Sequence, residues 1–497
     1  MRKEFHRRTG RVRATPGRIV VLLGQAARGP AMDPILPQSQ AEALRIFGSP
    51  EDSDLLRHFL FAQTAAPQVD YVLMRINGEH ATASSPIRHH TLRVQAYEAG
   101  SHGNGIEVYA ARGQLVIHSP NGRTRHYALD AATSVGTIIE QINIEAEDGQ
   151  SPVVLSGLPL HNPATILLEM DPLVLSGGED ELPLTQNGLY QRLQEAYGYL
   201  EDFEMDVVIP LGAYFDTPHR PFTYGSFNYH EQTYSPGGDY LSLYDTQGNP
   251  ARFHQQLLEF LSYRRARSHI CHGILSCQPT KEAEGFFRTL AMEGTLTTRE
   301  GFLRYADNQR MDQGGSMSIL AQHAWDDQQG WLCLAPLYAA IWLQETISII
   351  NEPLPLDRYP IYPQLPSSTL QSLADIGVVG FGYSTRHQRS AVPYPVTATL
   401  ADNDWHWADS MRAVQYVYRS FTDRIDPEIG SEMPWALRRH ELQRSLQNLM
   451  DFWVDQGRLT DGSVSLDTHE PLMDLVFQPR ATTKVLQART SIGRSVR

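Results

Sequence analysis

PGRIVVLLGQAARGP, residues Pro16 to Pro30, continues after a short gap into SQAEALRIFG, Ser39 to Gly48, and the fold turns on this stretch. Ile19 to Leu23 are uniformly apolar and stop at Gly24. A run that short, bounded by a turn residue, predicts a strand buried on both faces. Gly29 and Pro30 predict a loop, Ser39 to Phe47 a helix, Asp54 to Thr64 a second helix and Tyr71 to Ile76 a second strand, which makes a βαβ-like opening.

From Thr91 to Met170 the pattern shifts to short strands at Leu92 to Tyr97, Ile106 to Ala110, Leu115 to His118, Val153 to Leu155 and Thr165 to Met170, with one helix at Val135 to Ile144. This predicts an inserted β-rich domain. Alternation then resumes. A helix carries Leu189, Leu193, Tyr197 and Leu200 on one face and leads into the strand Asp206 to Pro210; a helix at Phe253 to Ala266 leads into the strand His269 to Leu275. Cys333 to Ile350 reads as largely helical beyond Pro336, Pro353 to Pro366 as an irregular connector, and Ile376 to Phe381 as a strand. Two helices close the chain, one with Met411, Val414, Tyr418 and Phe421 on its apolar face, the other opened by Pro434, striped by Leu442, Leu446, Leu449 and Trp453 and stopped at Gly457. The fold class is α/β and α+β multidomain, a mixed sheet core covered by helices.

The 497 residues are 41% hydrophobic and 20% charged, a globular composition with room for several domains. The longest apolar stretch, Trp331 to Leu343, is interrupted by Pro336 and falls short of the ~20 residues a membrane helix needs. Three cysteines (Cys271, Cys277, Cys333) make no disulfide framework and point to a reducing compartment.

The net charge of −14 is unevenly placed. Residues 1 to 18 hold seven bases against Glu4, and residues 480 to 497 hold five against no acid. Without those twelve bases and one acid, 42 Lys and Arg become 30 and 56 Asp and Glu become 55, so the body carries −25. The apolar run after the basic start is too short for a secretory signal. A nucleic-acid arm is at odds with an anionic body and the lack of any reader motif. Docking on the acidic bodies of sister copies suits both tails. In the second tail Thr482, Thr483, Val485 and Leu486 are strand formers interrupted by basic residues, as on a protected edge.

Chemistry is sparse. His269, Cys271, His272 and Cys277 are metal-ligand types without paired spacing and read as core. Gly100 to Gly105 reads as a turn before a strand rather than a phosphate cradle, and Glu201, Asp202, Glu204 and Asp206 as a solvated face. GxSxG, HExxH and Walker motifs are absent. No catalytic, cofactor or metal site is predicted. The alternative is an α/β hydrolase-like enzyme with its site in the His- and Asp-rich stretch 214–250, around His219, His230 and Asp239.

The order of motifs resembles the tail sheath proteins of contractile bacteriophages and related injection devices. PGRIVVLLGQAARGP and SQAEALRIFG are similar to the family's opening, SHGNGIEVYA (Ser101 to Ala110) to its Gly-Asn strand motif, LSGGEDE (Leu175 to Glu181) to its turn, and DVVIP (Asp206 to Pro210) to its central strand. LAPLYAA (Leu334 to Ala340), LADIGVVG (Leu373 to Gly380) and Trp407 to Ile425 resemble its later core. Arg75 followed by Ile76 is a mild departure, and Tyr214 to Pro250 matches nothing in the family pattern.

The resemblance implies a structural subunit without cofactor, stacked in six-fold rings around an inner tail tube. Baseplate and tail terminator proteins would be its other partners, with no nucleic acid and no membrane insertion. The site would be a virion tail assembled in the host cytoplasm, contracting for genome ejection. Its domains would be an arm (1–17), a first core part (18–90), the inserted domain (91–172), an α/β domain (173–360) elaborated at 214–250, a tube-facing core (361–477) and a second arm (478–497). The exchanged arms would dock through Arg7, Arg8, Arg11, Val12, Arg13, Thr483, Lys484, Val485, Leu486, Arg489 and Ile492. Arg438, Arg439 and Arg444, read as lying away from the Leu442 stripe, would contact the tube.

Overall fold

A computed structural model describes residues 18–181, 183–215, 226–228, 233–235, 253–266, 269–277, 279, 317–344, 348–356, 359–375, 377–398, 406–425, 435–467, 472–480 and 486–491. The chain divides into two compact units: one takes in Met1–Leu22, His58–Val72 and Leu200–Arg497, the other Leu23–Arg57 and Leu73–Tyr199.

The first unit is built on a sheet of order β2-β1-β10-β14-β15-β20, with β11 beside β14. Its strands are β1 (Ile19–Gly24), β2 (Asp70–Arg75), β10 (Val207–Pro210), β11 (Tyr214–Phe215), β14 (His272–Cys277), β15 (Met317–Leu320) and β20 (Val378–Val379). From β10 to β20 the pairing is parallel. β1, β10, β14 and β15 are buried at every residue; β1 and β10 accordingly read as apolar runs, while β14 and β15 also bury His272, Ser276 and Ser318. Helix α5 (Phe253–Ala266) approaches β14 closely at Gly273, where a Cβ would sit 2.8 Å from Leu261 Cδ1. Helix α6 (Ala335–Trp342) is buried along its whole length.

The helix expected to run on toward Ile350 ends at Trp342. Buried Arg412 donates from Nε to the Trp342 carbonyl at 2.8 Å and from Nη2 to that of Gln344 at 2.5 Å, satisfying carbonyls at the helix end. The strand expected at His269 starts at His272 and runs to Cys277, and the one expected at Ile376 to Phe381 shortens to β20. Two small antiparallel sheets flank these elements. One joins β17 (Gly330–Cys333), β16 (His323–Asp326) and β19 (Ile361–Tyr362); the other joins β18 (Glu352–Pro353) with β22 (Arg389–Val392) and β21 (Gly382–Ser384), which follow helix α7 (Ser367–Asp375). The connector expected at Pro353 to Pro366 thus supplies β19 and the last residue of β18. β12 (Ser226–Asn228) and β13 (Thr233–Ser235) pair with each other.

In the second unit, α1 (Gln40–Phe47) starts where Ser39 Oγ accepts the Glu42 N–H, and the Glu42 carboxylate accepts the Gln38 N–H. α2 (Asp54–Ala65) follows, its first turn in this unit. Arg75 is fully buried and donates from Nη1 to the carbonyls of Gly29 at 2.8 Å and Ala99 at 2.9 Å. Burial pushes its guanidinium down to about 10, against the pull of Asp180 and Glu98. Asn77 beside it binds both the N–H and the carbonyl of Ala26. Gly78 has φ 87, and a Cβ there would lie 2.6 Å from Arg75 Nη2, so glycine is required.

The β-rich part is wider than 91–172. β3 (Thr82–Ile87), β4 (His90–Ala96) and β8 (Val153–Ser156) form one sheet; β7 (Thr124–Ala128), β6 (Gln114–His118), β5 (Glu107–Ala111) and β9 (Leu173–Val174) form another. β3 and β7 escape the sequence reading because their half-exposed TASSPI and TRHYA lack an apolar run. The strand expected at Thr165 to Met170 is instead a 3₁₀ turn, Ala164–Glu169, entered through Pro163 and burying Ala164, Ile166 and Leu167. With α3 (Val135–Glu147), these elements enclose one core from Ala81 to Leu175. Helix α4 (Gln186–Tyr199) ends the unit. Glu79 and Glu179 exchange backbone hydrogen bonds of 2.7 and 3.2 Å, so the two ends of this part lie side by side. Residues 79–180 alone are therefore expected to fold cooperatively; a non-cooperative thermal transition of that fragment would show that its core is incomplete.

Two buried histidines of the first unit set its acid limit. His272 stacks on Trp342 at 3.6 Å and places Nε2 3.0 Å from Ser318 Oγ. Because Ser318 gives its hydroxyl proton to the Val396 carbonyl, His272 must be the donor. His323 has no hydrogen-bond partner for either ring nitrogen, and burial, with His58 nearby, pushes it down to about 3; burial takes His272 well below its usual value. The unfolded chain protonates both near pH 6.5 and the folded chain does not. Stability is therefore full above about pH 6.5 and lost as pH falls toward 3, at up to about 1.4 kcal/mol per pH unit for each histidine. His323→Leu is expected to halve that slope in urea titrations between pH 7 and 5.

Candidate functional site

β1 begins where residues 1–17 end, and its start is held by a buried acid. Asp206 is 4% exposed; its Oδ2 accepts the Ile19 N–H at 2.8 Å while its own N–H donates to the Ile19 carbonyl at 3.0 Å. Arg419, on helix α8 (Ala408–Ile425), donates to Asp206 Oδ1 and, at 3.3 Å, to Glu204. Gln415 of the same helix donates to the Asp206 carbonyl at 2.8 Å. Burial pushes the Asp206 carboxyl up, opposed by Arg419 and the Ile19 N–H. The acidic run 201–206 is thus not a uniformly solvated face: Glu204 is exposed, Glu201 accepts the Tyr263 hydroxyl at 2.9 Å, and Asp206 is a core clamp. The signal in the sequence was an acid at the head of an all-apolar strand.

The C-terminal end joins α8, α9 (Trp435–Asp455) and the antiparallel sheet β23 (Leu459–Leu466), β24 (Leu472–Pro479), β25 (Leu486–Ser491). Val417, Phe421, Leu446, Met450, Leu475 and Phe477 lie in its core. Of the predicted arm residues, Leu486 and Arg489 fall in β25, in register with Phe477 and Asp474 of the chain's own β24. Arg7, Arg8, Arg11, Val12, Arg13, Thr483, Lys484, Val485 and Ile492 lie outside the described residues.

The three arginines of α9 do not share one face. Arg438 stands four residues before Leu442 and eight before Leu446, on the buried side, and Arg439 is half-buried as well. Only Arg444 is fully outward, among exposed His440, Glu441 and Asn448. The enzyme alternative placed His219, His230 and Asp239 in a stretch that also lies outside the described residues. Cys271, His272 and Cys277 are buried, with burial pushing the two thiols up to about 11 and about 12. Among the described residues no three His, Cys, Asp or Glu side chains are grouped to hold a metal ion. No described helix is long and apolar enough to cross a membrane.

No family model and no curated protein matches this chain. Solved structures do. The sheath tail protein of Desulfitobacterium hafniense is 12% identical with a TM-score of 0.50, the alignment covering 98% of this chain and 99% of that one. The sheath tail protein of Listeria innocua is 12% identical with a TM-score of 0.53 over 97% of each. At such identity the likeness is one of fold, and it extends along the entire length of both proteins.

Asp206→Ala is expected to lose about 1–3 kcal/mol in urea unfolding, because it leaves the Ile19 N–H without its acceptor and Arg419 with only the exposed Glu204, while Asp206→Asn keeps an acceptor for Ile19 and loses less.

Proposed function

We propose that this chain is the subunit of a contractile tail sheath: a non-enzymatic protein that polymerises around an inner tube and shortens to drive it through an envelope. The observation that carries this reading is the fold likeness to sheath tail proteins over 97% or more of each chain. The charge distribution supports it, since cationic ends and an anionic body of −25 favour association of like copies.

In this reading residues 1–17 and the C-terminal tail act between copies. β25 is tied to β24 by residues 480–485. Six extended residues span roughly 20 Å, so the bonds that β25 makes on its own sheet are open to exchange with a neighbour's. Arg444, with or without Arg438 and Arg439, would meet the tube; single exposed ion pairs are worth only ~0.2–1 kcal/mol, so the hold would come from many copies acting together. Rings of copies, a baseplate and a terminator complete the assembly, in a particle tail built in the cytoplasm of its host.

Electron microscopy of the purified chain is expected to show long hollow tubes; a small closed oligomer would overturn the reading. Deleting residues 480–497 is expected to leave folded monomers that make no tubes. Replacing Arg438, Arg439 and Arg444 with Gln is expected to leave self-assembly intact and weaken tube binding, most at low salt, where the lost ion pairs are least screened.

A further inference from the structure

The β21–β22 hairpin carries an exposed, acid-free cationic tip on this acidic chain. Its backbone pairs Gly382 with Ala391, Tyr383 with Ser390 and Ser384 with Arg389, and β22 pairs onward with β18, so β21 is the outer strand of its sheet. The root is rigid: Ala391 and Val392 are buried, and a Cβ on Gly382 would lie 2.8 Å from Leu370 Cδ1. The tip is a closed turn in which Ser384 Oγ accepts the His387 N–H at 3.4 Å and Gln388 takes φ 52.

Every residue from Thr385 to Arg389 is exposed. Tyr383 is 69% exposed, the most of any large hydrophobic side chain among the described residues. Arg386, His387 and Arg389 lie in a segment with no acidic residue between Asp375 and Asp402, in a chain that has 56.

An aromatic ring left that far in water contributes little to the fold that carries it. Tyr and Arg are the residue types in which interface energy concentrates, and side chains held on a rigid hairpin lose little freedom on docking. A cationic tip is attracted to an anionic surface, and the large anionic surface at hand is the body of another copy, at −25. We propose that this hairpin is a contact between copies, with Tyr383, Arg386 and Arg389 seated on an acidic surface of a second copy of this chain. The proposal rests on the sheath reading for its setting in a polymer, but the contact can be read without it.

A photo-crosslinking amino acid at position 383 of the full chain is expected to give a covalent dimer whose joined peptide is an acidic segment of the second copy. The double variant Arg386→Glu/Arg389→Glu, with its unfolding temperature unchanged, is expected to lower tube yield at least tenfold. No inter-copy crosslink, a crosslink to another protein instead, or full tube yield from a folded double variant would overturn the contact. Should that variant fail to fold, the crosslink alone decides. Should the unaltered chain form no tubes, the sheath reading falls, and the crosslink between copies in solution still supports or overturns this contact.

Discussion

The buried carboxylate of Asp206 is the interaction on which the first unit depends. It closes a two-way backbone exchange with Ile19, so β1 cannot slide against β10 without leaving a charge unpaired in a dry sheet. The same residue receives Gln415 and Arg419 from α8, which fixes a helix more than two hundred residues away in sequence to the start of the chain. Removing a charge from water is unfavourable, and this one is tolerated because each of its oxygens is met by a donor.

The second unit uses a cation in the same way. Arg75 draws the carbonyls of Gly29 and Ala99 onto one guanidinium, and Asn77 holds both backbone groups of Ala26, so the loop after β1 is set by side chains instead of by a regular element. The β-rich part beyond it has its own core from Ala81 to Leu175, and its ends hydrogen-bond to one another.

Charge sets how such a chain meets its own kind. A body at −25 repels itself at a distance, and short-range cationic features at the termini and on the hairpin tip are what can turn repulsion into registered contact. Contacts of this sort are individually weak and salt-sensitive.

Periodicity and punctuation in the sequence were sufficient for β1, α1, α2, α5, α8, α9 and the β-rich character of the middle, because unbroken apolar runs and i, i+4 stripes are local signals. Polar, half-exposed strands such as β3 and β7 carry no such signal and exist through their partners. The helix after Pro336 ends at Trp342, where Arg412, seventy residues on, binds its last carbonyl. The acid run 201–206 looked like a solvated face until tertiary pairing buried one member, and Arg438 and Arg439 looked outward until α9 was set on its sheet. Residue type and spacing settle what a segment can do by itself; which polar groups are buried, and which cations face out, depends on partners distant in sequence, whose positions are decided by packing alone.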